Sequence, residues 1–300
     1  MITMRSVSRG LKAAFRRDSF KRPHSRLKAN EVVLRVITYL LLLIVGITTV
    51  GPFIIMTSVS FTKDIRFIIF PIQLLPKPIT LENFETLFSK TMALRWLYNS
   101  FYVATVATFG GVVTSTMAGY AFARGDFLGK EIIFTLLLGI LMMPQTAMIV
   151  PQFVVLSRLH LVNTYTALIG PWFASAFGTF MMRQQYLSIP RDYDDAATID
   201  GANLWQIYGR VLLPQLKPAM VTLAVLRFMG NWNSFLYPMI VTSKAQFRTL
   251  TVGLGTVARS GGDAGLDMAG AVIGFLPTFI IFVLGQRYIT QGISLSGVKG

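Results

Sequence analysis

The sequence predicts an all-α integral membrane protein with six transmembrane helices. Three observations carry that expectation. Of 300 residues, 53% are hydrophobic and only 14% charged, where a soluble domain carries about a quarter charged. No charged side chain interrupts residues 36–62, a run longer than the roughly 20 residues needed to cross the hydrocarbon. Ten basic residues, from Arg5 to Arg35, crowd in front of that run, as in a segment held on the cytoplasmic side, where Lys and Arg resist translocation and attract anionic lipid.

Composition also excludes several classes. The net charge of +15 would suit an arm that binds nucleic acid, but its clustering beside an apolar span favours lipid. With no cysteine and only His24 and His160, disulfides, thiolate metal sites and all-histidine sites are ruled out. A cleavable signal peptide is not expected, because the apolar run far exceeds a signal's core.

In chain order, residues 1–34 read as a basic cytoplasmic segment, 35–290 as the six-span domain and 291–300 as a cytoplasmic tail. Span one covers 37–61. A mixed loop follows over 62–98, expected outside, with a short surface helix near Leu81, Glu82, Asn83 and Phe84. Span two, 99–121, holds Gly110, Gly111, Ser115, Ala118 and Gly119, small residues that let helices pack closely in lipid. The inside loop 124–131 is no phosphate loop: three residues separate Gly125 from Gly129 where four are needed, and Glu131 stands in place of Ser or Thr after Lys130. Span three runs over 132–150, span four over 164–182 and span five over 218–241. The outer loop 242–267, with five glycines, reads as soft. Span six, 268–284, contains Pro277, which predicts a kink. Both termini then lie in the cytoplasm.

The most polar stretch is the inside loop 190–218. Asp192, Asp194 and Asp195 follow Pro190 and suit the positive first turn of a helix. Asp200 and Gly201 make a turn, and Asn203 with Gln206 reads as a capping box opening a second short helix that Pro214 ends. Ala196 and Ala197 are small enough to admit another protein's backbone.

The order Asp195, Ala196, Ala197, then Asp200, Gly201, Ala202, then Leu213, Pro214 and Pro218 resembles the "EAA" signature of the membrane subunits of binding-protein-dependent ABC importers. The family's glutamate is Asp195 here, one methylene shorter. Further landmarks are Tyr120 to Arg124 with Gly129 and Lys130, Met143 and Pro144, Trp232, Asn233 and Phe235, and the closing Gly297 to Gly300. Together they are similar to the maltose-type carbohydrate branch over residues 33–300. The resemblance implies a type I importer permease fold in a bacterial or archaeal cytoplasmic membrane. It implies that residues 190–218 form a coupling helix docked on an ATPase dimer, which uses ATP and Mg, while this chain binds no cofactor or metal. It also implies a second permease of similar fold, an extracytoplasmic solute-binding protein that the loop before span six touches, a tail near the ATPase, and a di- or oligosaccharide as cargo.

A self-sufficient secondary transporter or channel is the competing class. All thirteen Asp and Glu residues fall outside the six predicted spans, so no carboxylate is offered as an intramembrane proton relay. An intramembrane enzyme finds no neighbouring Ser and His and no paired carboxylates within a span. Arg227 lies about 13 Å into span five, near the middle of a core of about 30 Å. Asn231 and Ser234 follow on the same face. That stripe, with Trp232 and Asn233 beside it, either lines the translocation pathway or its gate, or serves to cap carbonyls of a partner permease or to snorkel.

Overall fold

The computed structural model describes residues 29–63, 78–259 and 263–297. The basic run before Ala29, Pro71, Pro76 and Lys77 of the first outer loop, Gly261 and Gly262, and the end from Val298 lie outside the described residues.

The chain divides into Met1–Pro52 and Phe53–Gly300. In the first unit, residues 29–52 are helical, the leading part of α1 (Ala29–Ser60), and residues 33–50 are exposed. A helix apolar on all sides suits lipid.

The second unit is a helical bundle arranged around α3. The short helix α2 (Glu82–Lys90) appears where the sequence suggested, yet it is docked, not superficial. Asn83 Nδ2 donates 2.9 Å bonds to the carbonyls of Ser60 and Thr62, and Leu87 is fully buried. Helix α3 (Ala93–Arg124) is longer than the predicted span and unbroken. Its small residues do what lipid-embedded packing requires. A Cβ on Gly119 would come within 2.7 Å of Met182 Cβ, and one on Gly110 would strike the ring of Phe173.

Three of the predicted spans are broken. The third is α4 (Lys130–Leu141), a 3-10 turn (Gln145–Met148) and α5 (Ile149–Arg158), bent by 102° where Pro144 interrupts the ladder. The fourth is α6 (Tyr165–Ile169), a 3-10 turn (Gly170–Trp172) and α7 (Ala176–Leu187). After the inside loop with α8 (Asp192–Ile199), α9 (Leu204–Gln206), a π segment (Ile207–Leu212) and α10 (Leu213–Gln215), the fifth is α11 (Lys217–Trp232) followed by α12 (Leu236–Val241). The expectation that Pro214 ends the second loop helix is corrected. Pro214 stands in the first turn of α10, after the π segment, where a proline is tolerated; helix runs on through Gln215, and the bend of 77° comes at Leu216.

The outer loop is corrected too. Helix α13 (Leu250–Arg259) occupies it, with Leu250 and Val252 buried. Gly253 lies in that helix because a Cβ there would strike the indole of Trp96. Helix α14 (Ala264–Gly297) continues through Pro277 into the segment expected to be tail. By length and apolarity, residues 33–60, 93–124 and 264–288 are single membrane-crossing candidates among the described residues, and counting the bent pairs raises the number to five.

Candidate functional site

The loop at 190–218 folds as its residues dictate. Asp192, Asp194 and Asp195 occupy the first turn of α8. Gly201 has φ +81, a left-handed geometry that glycine adopts freely, and it turns the chain so that Ala202 N reaches Ala197 O at 2.9 Å. Asn203 and Gln206 form a reciprocal capping box, with bonds of 2.8 and 3.0 Å. The loop presents Tyr193, Ile199, Leu204 and Trp205 outward, Ile199 at 87% and Trp205 at 69% exposure. Asp195, Ala196, Asp200, Gly201 and Pro214 are exposed beside them. Openness to a partner's backbone holds for Ala196 alone. Ala197 is buried, and with half-buried Ala202 it packs against the cluster of Tyr186, Ile207 and Leu212. Its small side chain serves the loop's own packing.

Sequence reasoning missed what ties this loop to α3. Arg124 Nε reaches Asp194 Oδ2 at 3.1 Å, and its Nη2 donates to Ile189 O at 2.7 Å. The hydroxyls of Tyr208 and Thr116 are 3.0 Å apart. The ring of Tyr120 stands 5.6 Å from that of Tyr186 and 5.3 Å from that of Tyr208. The available signal was a basic helix end followed, past two spans, by an acidic first turn.

The three helix breaks share a second site. A cavity of about 710 Å³ is lined by Met143 and Gln145 at the first break, Trp172, Ala174 and Ser175 at the second, and Ser234 and Phe235 at the third. Irregular backbone at membrane depth is tolerated only where protein or a water-filled space satisfies it. Here Ser175 Oγ caps α7 by accepting from Gly178 N at 3.0 Å, Thr114 donates to Phe173 O, and Arg227 Nη2 donates to Trp172 O. The arginine therefore caps a carbonyl of its own chain, a partner that neither sequence alternative named. It also fills the notch left by Gly111, where a Cβ would fall on the guanidinium.

Arg227, Asn231 and Ser234 line the cavity together, with Thr146, Gln152, Phe177 and Tyr237. Trp232 and Asn233 do not. The helical turn sends Trp232 the other way, fully buried, with Nε1 donating to Gly274 O at 2.8 Å. Asn233 follows the end of α11, and its side chain folds back onto Met229 O.

Residues 87–294 match the family described as binding-protein-dependent transport system inner membrane component. The chain belongs to that family. Among curated relatives, an arabinooligosaccharide transport system permease of Halalkalibacterium halodurans is 36% identical over 75% of this chain and 81% of its own. The trehalose/maltose transport system permease of Thermococcus litoralis is 32% identical over 90% and 99%. Among solved structures, a bacterial ABC transporter that imports the acidic polysaccharide alginate superposes with TM-score 0.78 over 87% of this chain and 98% of its own, at 20% identity. This inner membrane component is thus a permease subunit of an ABC importer, whose ATPase is a separate chain.

Proposed function

We propose that this permease carries a di- or oligosaccharide inward through the cavity at the three helix breaks, as half of a pathway completed by a second permease of similar fold. One observation supports this most: three broken helices open onto one space lined by amides, hydroxyls and aromatic faces, groups that match the hydroxyls and apolar faces of a sugar. The two permeases cited, with oligosaccharide and trehalose/maltose systems in their names, support the same substrate class. In this reading the chain crosses the cytoplasmic membrane six times with both ends inside. Residues 1–34 form the basic segment, 35–290 the permease domain and 291–300 the tail.

The loop at 190–218 is the coupling element. Its exposed apolar residues, Tyr193, Ile199, Leu204 and Trp205, together with Asp195, Ala196, Asp200 and Gly201, dock on an ATPase dimer that uses ATP and Mg. Ala197, Ala202 and Pro214 set the loop's shape. An extracytoplasmic binding protein delivers the cargo. The test is ATPase activity of the reconstituted assembly across a panel of oligosaccharides with their binding protein. Stimulation by at least one sugar is expected; a complex that hydrolyses ATP normally and transports a non-sugar cargo overturns the proposal.

A further inference from the structure

Resting on the reading of the cavity as the sugar pathway, we propose that its wall selects sugars bearing an anionic group, with Arg227 as the selecting charge. Arg227 is the single charged side chain in the lining. Among the described residues the ion pairs are Lys63–Glu82 and Arg124–Asp194, so no carboxylate among them balances it. Its hydrogen bonding is incomplete as well. Nη2 is taken by the Trp172 carbonyl, Nε is buried with no acceptor, and no described residue accepts from Nη1.

A neutral sugar brings hydroxyls that can accept from such donors but leaves the charge itself uncompensated, and an unpaired charge away from bulk water is unfavourable. A uronate carboxylate, or a sulfate or phosphate ester, supplies both acceptor and counter-charge, and a planar guanidinium is shaped for such oxyanions. The remainder of the wall, Gln145, Gln152, Ser175, Asn231 and Ser234, is neutral and suits the hydroxyls of the same sugar. At an effective dielectric near 20, unit charges about 8 Å apart attract strongly enough to change a binding constant by roughly tenfold or more.

The assembled complex in lipid nanodiscs, with partner permease and ATPase, is titrated with two disaccharides, the glucuronide β-glucuronosyl-(1→4)-glucose and cellobiose, which differ only at C6 of the terminal residue. Saturation-transfer NMR reads the two affinities. The glucuronide is expected to bind about tenfold tighter. Arg227→Gln, which removes the charge and keeps an amide donor, is expected to erase the difference. So is Asn231→Asp, which supplies a carboxylate one turn along α11 and leaves Arg227 on Trp172; this variant decides the matter if Arg227→Gln fails to assemble. Equal affinities in the unaltered complex, or a preference that survives the substitutions, overturn the proposal while leaving the pathway reading standing. Failure of both glycosides to bind removes the pathway reading along with it.

Discussion

Arg124 Nε lies 3.1 Å from Asp194 Oδ2, and the two side chains are 8% and 18% exposed. The pair joins the C-terminal end of α3 to the first turn of α8, and Arg124 also holds the carbonyl of Ile189. It therefore fixes the angle at which the loop leaves the bundle.

Removing one partner of such a pair leaves a poorly solvated charge, at about 3–5 kcal/mol. Arg124→Gln is expected to lower the melting temperature of the purified complex and its coupled ATPase activity. Asp194→Asn combined with Arg124→Gln should recover part of the stability, because neither charge is then stranded. A double variant no more stable than Arg124→Gln alone would show that the ion pair is not what matters.

The outward face of the loop gives a second prediction. Trp205→Glu places a charge on an exposed apolar patch and gives up only an edge-on contact with the ring of Tyr208 at 6.4 Å, so membrane insertion should be normal while co-purification of the ATPase falls at least tenfold. Gly201→Val forces a β-branched residue into φ +81, at roughly 1–3 kcal/mol, and should lose both docking and transport. Ala197→Leu differs in kind: its burial against Tyr186 and Ile207 makes it a packing lesion, read as lower thermal stability. Retention of the ATPase by Trp205→Glu would refute the docking face.

Topology is tested through the absence of cysteine. Single cysteines at Lys12 and Lys299 are expected to resist an impermeant thiol reagent in intact cells, and those at Lys77 and Lys244 to react. Labelling of position 299 from outside would remove the six-span arrangement. The insertion penalty behind the expectation is about 2.5–3.5 kcal/mol for a charge at a helix centre.

The fold was legible where a local rule governs. Uninterrupted apolar runs marked α1 and α14, the small residues of α3 marked its close packing, and Pro190, Gly201, Asn203 and Gln206 wrote the loop almost residue by residue. The breaks were not legible, because hydropathy counts apolar residues whether or not the backbone stays helical, and the bonds that permit a break come from far along the chain. Arg227 shows the difficulty: spacing gave its place along α11, but its partner, Trp172, is 55 residues earlier. Trp232 and Asn233 were grouped with the cavity by sequence adjacency, whereas a helix sends adjacent side chains about 100° apart.

The outer segment carries the last prediction, because there composition misled most. Five glycines suggested a soft loop over 242–267, yet residues 245–250 are pinned to α3 by side chains a hundred and more positions away. Asn99 is fully buried. Its Nδ2 donates to Gln246 O at 2.9 Å and to Arg248 O at 2.8 Å, and its Oδ1 accepts from Tyr165 Oη at 2.7 Å. Trp96 Nε1 holds Ala245 O at 2.9 Å, and Ser100 Oγ accepts from Leu250 N at 2.7 Å. Asn99→Ala removes three of these bonds: the Arg248 carbonyl is left without a partner among the described residues, at about 1–3 kcal/mol when buried, and Gln246 O and Tyr165 Oη keep only the longer bonds from Arg95, at 3.5 and 3.3 Å. Local opening should then become the easiest route to exchange for this segment. Hydrogen exchange on the assembled complex is expected to show residues 245–252 exchanging at least tenfold faster, with α8 unchanged. Unaltered exchange would mean that Trp96 and Ser100 hold the segment without Asn99.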